Sequence, residues 1–390
     1  MIEIGIVGLP NVGKSTLFNV LTQLNIPAHN YPFCTIDKNE AVVEFKDKLL
    51  EDLGKSLQSD KLMYPLFKFI DIAGLVRGAS KGEGLGNMFL SHIREVDIVL
   101  YMLRFFEDAN ITHVAGKIDP LEDLRTVFSE LLLKDIESVT NKLEQLEKSV
   151  HRYKREQLDV MNKILNSLLE YLNKEKSVFL FLYDYMNKAE KIDSVWSIID
   201  RETALSKHPE LEIIYDMFLL TAKPSMIVLN ISFWNLEDSD FKARLEETKN
   251  SILNYVKEHI SPWAHIALTD AKSLYEISKL SKEEKEEFKL NLPGEWNEQS
   301  ILWALLDYLK LQRIFVGGKK DSREFLVKPG TTARESAGLI HSDLAEHFIR
   351  AKIANVEEVI LKGADKAEYK TVGEDYVMKD KDYFIILASN

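Results

Sequence analysis

Short unbroken apolar runs recur along the chain, separated by stretches with helical spacing. The first, Ile4-Gly5-Ile6-Val7, predicts a buried strand over 2–7, and the periodicity that follows predicts a helix over 14–24. Further strands are predicted at 66–72, 97–104, 222–230 and 263–268, with a helix at 240–258 and a solvated one over 281–287. Apolar runs without polar alternation suit strands buried on both faces, so this part of the chain reads as an α/β fold.

Two regions break the pattern. From about 121 to 210, Val139, Leu143, Leu146, Val150 and Tyr153 follow a 4-3-4-3 spacing, the seam of a short coiled coil. Leu158, Met161, Ile164, Leu168 and Leu172 continue on a shifted phase. An antiparallel helical hairpin turning near 151–157 and one long helix both fit, as either a rigid arm or a docking surface. From about 301 to 390, short strand-like runs begin at Glu324, Ala351 and Tyr383, with a helix starting near His341-Ser342-Asp343. That predicts a small β-grasp-like α+β interaction module without a catalytic constellation.

Composition narrows the class. The chain has 390 residues, 45% hydrophobic and 29% charged, enough for two or three domains. No apolar run approaches the ~20 residues that span a bilayer. The first strand begins at Ile2, leaving no room for a leader, and the single cysteine, Cys34, can form no internal disulfide. The expectation is a cytoplasmic protein with no membrane partner. A net charge of −12 argues against indiscriminate nucleic-acid binding and leaves no case for sequence-specific DNA.

The chemistry lies in motifs set on these elements. Gly8-Leu9-Pro10-Asn11-Val12-Gly13-Lys14-Ser15 falls between the first strand and first helix, the context of a phosphate-binding loop. Its glycines let successive amides turn toward phosphate; Lys14 reaches the β- and γ-phosphates, and Ser15 can ligand Mg²⁺. The irregular segment 30–37 carries Thr35, a switch ligand for Mg²⁺ and γ-phosphate or an ordinary loop threonine. Asp71-Ile72-Ala73-Gly74 ends a predicted strand: Asp71 would hold Mg²⁺ through water and the Gly74 amide would meet the γ-phosphate. The glycine-rich stretch after it reads as a second switch or a flexible surface loop. Leu75 stands where Ras-type enzymes place the glutamine that orients water. His113 is the nearest substitute in sequence, although on its own it reads more readily as a structural or surface histidine. The strand at 222–230 ends in Asn230-Ile231-Ser232-Phe233, without the carboxylate of a guanine-reading N-K-x-D.

These segments, with the run Asp71 to Asn87 and Ala337-Gly338-Leu339-Ile340-His341-Ser342-Asp343, resemble the YchF/Ola1 family of Obg-related P-loop nucleotidases over nearly the whole chain. The resemblance implies a P-loop G domain (1–132 and 211–300), an inserted antiparallel coiled-coil arm (133–210) and a C-terminal TGS domain (301–390). It also implies Mg²⁺-dependent hydrolysis of ATP, sometimes GTP, and binding to ribosomes (50S or 70S) through the helical and TGS domains. It assigns water placement to His113 and puts a hydrophobic residue at Leu75. The family's N-x-x-E, linked to adenine preference, has Phe233 in place of its glutamate here. Phe325, Arg334 and Lys381 replace a usual Trp, Pro and Gly of the TGS domain.

The resulting expectation is a nucleotide-hydrolysing switch. Asn11, Val12, Gly13, Lys14, Ser15, Thr16, Gly74, Asn230 and Ile231 bind nucleotide. Ser15, Thr35 and Asp71 serve the metal, and Lys14 and His113 serve catalysis. The competing readings are a nucleotide-gated scaffold with negligible turnover and a P-loop kinase acting on a small metabolite.

Overall fold

The computed structural model describes residues 1–23, 39–72, 85–108, 117–148, 151, 153–290 and 299–388. The chain divides into two compact units, Ile2–Val43 with Lys68–Ala304, and Glu44–Phe67 with Leu305–Asn390. In chain order the strands are β1 (Ile2–Val7), β2 (Glu40–Glu44), β3 (Leu62–Met63), β4 (Leu66–Asp71), β5 (Ile98–Arg104), β6 (Ser225–Asn230), β7 (Ile266–Thr269), β8 (Gln312–Gly317), β9 (Ser322–Val327), β10 (Phe348–Asn355), β11 (Lys370–Val372) and β12 (Asp382–Ala388). The first five long helices are α1 (Lys14–Gln23), α2 (Lys48–Leu57), α3 (Leu85–Glu95), α4 (Pro120–Lys148) and α5 (Arg155–Leu172).

The larger unit holds a six-stranded sheet of order β2-β4-β1-β5-β6-β7. The β1–β5, β5–β6 and β6–β7 pairs are parallel. Every residue of β5 and β6 is buried, which is why those strands read as unbroken apolar runs. The strand expected from 222 starts at Ser225, because Leu220–Ala222 form a 3₁₀ turn. α4 ends at Lys148 and α5 starts at Arg155, so the predicted hairpin is two helices packed on each other, followed by the shorter helices Val178–Met186, Trp196–Ile199 and Arg201–Lys207. Val139, Leu146, Leu158, Ile164, Leu168 and Leu172 are buried along it. Asp135 ties α4 to the main body, accepting from the Leu220 and Thr221 amides at 2.8 Å each and from Thr221 Oγ1 at 2.7 Å. Burial pushes its carboxyl up to about 6 against those three donors.

The expected boundaries placed residues 44–67 in the nucleotide domain, and here the structure differs. Those residues form α2 and β3 and belong to the C-terminal unit, whose sheet runs β11-β10-β12-β8-β9-β3. β3 adds in parallel beside β9. Leu50 and Leu53 of α2 are fully buried in a cluster with Phe315, Ala354, Val356, Val359 and Tyr383. The amphipathic stripe of α2 is local, but the sheet it covers is assembled from residues nearly the length of the chain away. Lys381, at the position where the resemblance expects glycine, has φ 71. Its amide donates to the Arg313 carbonyl at 2.7 Å and its ammonium pairs with Glu357 at 2.7 Å, contacts that hold a conformation glycine would adopt more easily.

This unit also buries a charged network. Asp47 caps α2, accepting from the Leu49 amide at 2.9 Å, and pairs with Arg313 at 2.9 Å; Arg313 reaches Asp380 at 2.8 Å. Glu324 is 3% exposed beside Asp47, and neither of its carboxyl oxygens meets a donor among the described residues. Burial and the Asp47 charge push its pKa well above the carboxylate range, with Arg313 opposing and Asp380 adding to the rise. Burial, then the charges of Glu51, Glu44 and Glu324, raise the pKa of the Tyr64 hydroxyl in turn. A carboxyl raised in the folded state stabilises fully when protonated, and that contribution is lost as pH rises through its folded pKa. Between the ordinary value of 4.5 and that raised folded pKa the wild type should lose up to about 1.4 kcal/mol per pH unit, and Glu324→Gln should not. Thermal melts of both proteins from pH 5 to 9 check this; parallel curves would contradict it.

Candidate nucleotide site

β1 runs into the loop at Gly8, which passes so close to β5 that a β-carbon there would lie 2.4 Å from the Met102 carbonyl oxygen. Gly13 has φ 102, and a β-carbon on it would lie 2.3 Å from Asn230 Nδ2. These contacts explain the two glycines that bracket the loop. Asn11 between them has φ 64, a left-handed conformation that asparagine tolerates. The chain then enters α1, with the Leu17 amide donating to the Gly13 carbonyl at 2.9 Å. The first amides of a helix lack partners inside it and, with the helix's positive end, suit phosphate oxygens.

Lys14 folds back across the loop, donating to the Gly8 and Leu9 carbonyls at 2.9 and 2.8 Å. Burial pulls its amine down to about 8, with the Asp71 charge opposing. Asp71 closes β4. Burial pushes its carboxyl up, while the Lys14 charge and a hydrogen bond from the Ser15 hydroxyl hold it back. Two motifs far apart in sequence therefore meet at one point, with Lys14 buried, Asp71 half-buried and Ser15 exposed.

Magnesium takes hard oxygen donors and keeps waters or phosphates in most of its positions. A hydroxyl and a carboxylate already drawn together fit that demand. Among the described residues no group of three or more His, Cys, Asp or Glu offers an all-protein metal cage. Thr35, Gly74, Leu75 and His113 lie outside the described residues.

A cleft of about 540 Å³ extends from the loop. Asn11, Gly13, Thr16, Asn230 and Ile231 line it, as do residues that follow β5 (106–108) and β7 (270–273), and Trp234 after β6. The ligand site of an open α/β sheet forms outside the carboxyl ends of its strands, and all of these positions lie there or at the loop. Val12 is buried and meets the site through its carbonyl, which accepts from Asn230 Nδ2 at 2.9 Å. Asn230 Oδ1 in turn accepts from the Ala271 amide at 3.0 Å. Asn230 thus fastens the phosphate loop to the start of the helix Ala271–Ser278.

The wall after β7 was missed from sequence. Its signal was a helix start directly after a predicted strand: Asp270 Oδ1 accepts from the Ser273 amide at 2.9 Å. Asp270 Oδ2 accepts from Ser273 Oγ at 2.7 Å and the Phe233 amide at 3.0 Å. Both carboxylate oxygens are therefore engaged inside the protein. The Phe233 ring is fully buried, away from the cleft wall, whereas Trp234 is half exposed along it.

A family model described as a 50S ribosome-binding GTPase matches residues 3–163, and a YchF GTPase C-terminal model, described as a protein of unknown function, matches residues 311–389. The ribosome-binding ATPase YchF of Haemophilus influenzae is 38% identical over 390 residues, covering 97% of this chain and 96% of that relative. The same-named protein of Bacillus subtilis is 37% identical over 384 residues, covering 97% and 96%. The solved structure of the Schizosaccharomyces pombe YchF GTPase aligns with a TM-score of 0.75 at 30% identity, covering 99% of this chain and 97% of that one.

Proposed function

The chain belongs to the YchF family, and on that premise we propose a Mg²⁺-dependent, ATP-preferring hydrolase that acts as a ribosome-associated switch in the cytoplasm. It is a P-loop nucleoside-triphosphate hydrolase. The observation that carries the fuller reading is the meeting of Lys14, Ser15 and Asp71 at a loop with no room for a β-carbon at Gly8 or Gly13.

In the reaction, water attacks the γ-phosphorus while the bond from that phosphorus to the β–γ bridging oxygen breaks. Negative charge grows on the bridging oxygen and stays with the departing diphosphate. In this reading the Lys14 ammonium and the loop amides meet that charge, stabilising the transition state by position rather than by covalent chemistry. Ser15 and Thr35, with Asp71 through water, would hold Mg²⁺, which neutralises charge across the β- and γ-oxygens when bound. The Gly74 amide meets the γ-phosphate. Leu75 has no group to orient water, and His113 takes that role as the resemblance implies.

Base choice is read from positions 233 and 270 alone, although Glu107, Asp108 and Glu276 also line the cleft. Guanine is usually selected by a carboxylate facing its N1 and N2 hydrogens. Phe233 offers none, and the Asp270 oxygens are held by Ser273 and the Phe233 amide. Competition of ATP against GTP tests the preference, and equal tightness would overturn it. Steady-state phosphate release tests the mechanism. His113→Ala should lower kcat by about a hundredfold with nucleotide affinity unchanged. Equal turnover removes His113, and no wild-type turnover even with ribosomes favours a nucleotide-gated scaffold.

Trp234 gives the cleft an aromatic wall, its ring edge-to-face with Phe288 at 5.8 Å. Stacking on a base contributes about 1–3 kcal/mol and reads no hydrogen-bond pattern. Trp234→Ala should therefore weaken ATP and GTP by a similar factor, about tenfold, in equilibrium titrations. A loss confined to one base would show that Trp234 selects rather than stacks. The α4–α5 insertion serves as the coiled-coil arm and the C-terminal unit as the TGS domain, both directed at the ribosome.

A further inference from the structure

Residues 148–155 hold Lys148, Arg152, Lys154 and Arg155 and no carboxylate, in a chain whose net charge is −12. Arg152 lies outside the described residues. Lys148 ends α4, Lys154 caps α5 and Arg155 begins it, and the packing of the two helices brings these cations to one tip. All three side chains are exposed, as is His151, and Tyr153 is 38% exposed. Lys148, Lys154 and Arg155 have no ion-pair partner among the described residues, although acidic side chains are plentiful in the chain.

The placement opposes the needs of the helix. A helix N-terminus carries partial positive charge and favours Asp or Glu in its first turn, where α5 has Glu156 following two cations. Cations there weaken α5, and they add to the field that the helix end already projects outward. Such a local conflict marks a surface shaped by binding rather than by folding. The rest of the chain is acidic and repels a polyanion, so this end is favoured to approach first.

The chemistry of the tip selects the partner. Exposed cations match backbone phosphates, and an exposed tyrosine among them offers a ring for an unstacked base. A lipid surface would call for exposed aliphatic side chains at the same point, and the described tip residues have none. We propose that the tip of the α4–α5 pair docks on RNA, with Lys148, Lys154 and Arg155 on phosphates and Tyr153 on a base. This deepens the ribosome-associated reading and rests on it: the arm's tip is the ribosomal contact, and its ligand is ribosomal RNA.

The test uses the full chain and the triple variant Lys148→Ala/Lys154→Ala/Arg155→Ala, with ribosome-free ATP turnover as the check of fold; it should be unchanged. Co-sedimentation with purified ribosomes is measured across salt concentrations. The variant should bind at least tenfold more weakly, and its log K against log salt slope should be shallower by about 2 to 3, near 0.9 per phosphate lost. Tyr153→Ala should weaken binding without changing the slope. Unchanged affinity and slope in the triple variant would overturn the tip proposal while leaving ribosome association intact. Failure of the wild type to sediment with ribosomes would instead remove the ribosome reading. A second probe, a short RNA hairpin with an unpaired loop, then decides the tip alone: binding lost in the triple variant supports it, and binding absent or unaffected refutes it. Polyglutamate displacing the wild type as well as that hairpin would also refute it, pointing to an acidic protein.

Discussion

Lys14→Ala should lower kcat/KM for ATP by about a thousandfold. The wild-type ammonium is held inside the loop by the Gly8 and Leu9 carbonyls, which on the proposed function positions its charge for the phosphates in advance. Burial already disfavours that charge in the free protein, bringing it to about 8, and a bound triphosphate supplies the counter-charge that restores it. The ammonium's interaction is strongest where charge builds on the bridging oxygen, which places most of the loss in kcat. Lys14→Met separates charge from packing, because it fills similar space with no ammonium. Both variants should lose activity alike and keep their thermal midpoint near that of wild type. Activity within tenfold of wild type in either one would contradict the role of Lys14.

Phe233→Glu tests a different kind of claim. Restoring the family's glutamate would be expected from sequence to tune base preference. The structure instead predicts a loss of stability. The Phe233 ring is fully buried, and its own amide donates to Asp270 at 3.0 Å. A glutamate there would either place a carboxylate in the core or bring it toward the Asp270 charge. Deleting a buried phenylalanine alone costs about 3–5 kcal/mol, and an unpaired carboxylate adds to that. The thermal midpoint should fall by about 10 °C or more. The folded fraction should keep the wild-type ATP-to-GTP ratio. A variant as stable as wild type, with a changed ratio, would mean that position 233 reads the base after all.

Much of the site was legible because its residues are constrained by local geometry. A phosphate loop needs glycines where the backbone turns left-handed or presses on a neighbouring strand, and both constraints fall at Gly8 and Gly13. Lys14 and Ser15 follow them in sequence, so no long-range information was needed. Asp71 was legible because it ends an apolar strand. The wall at 270–273 was not, because its residues are ordinary helix-capping types whose meaning comes only from the neighbour strand.

Taken alone, the sequence determined the class of the larger unit, five of the six strands of its sheet and the phosphate-loop motif of residues 8–15. Each is written in periodicity or in a contiguous motif, where neighbours in sequence are neighbours in space. Only the tertiary structure decided that residues 44–67 join the C-terminal sheet, that Phe233 faces the core while Trp234 faces the cleft, and that Asn230 bolts the loop to Ala271. An amphipathic stripe specifies that a face will be buried but not against which partner. That choice rests on packing between segments far apart in the chain, which local spacing does not encode.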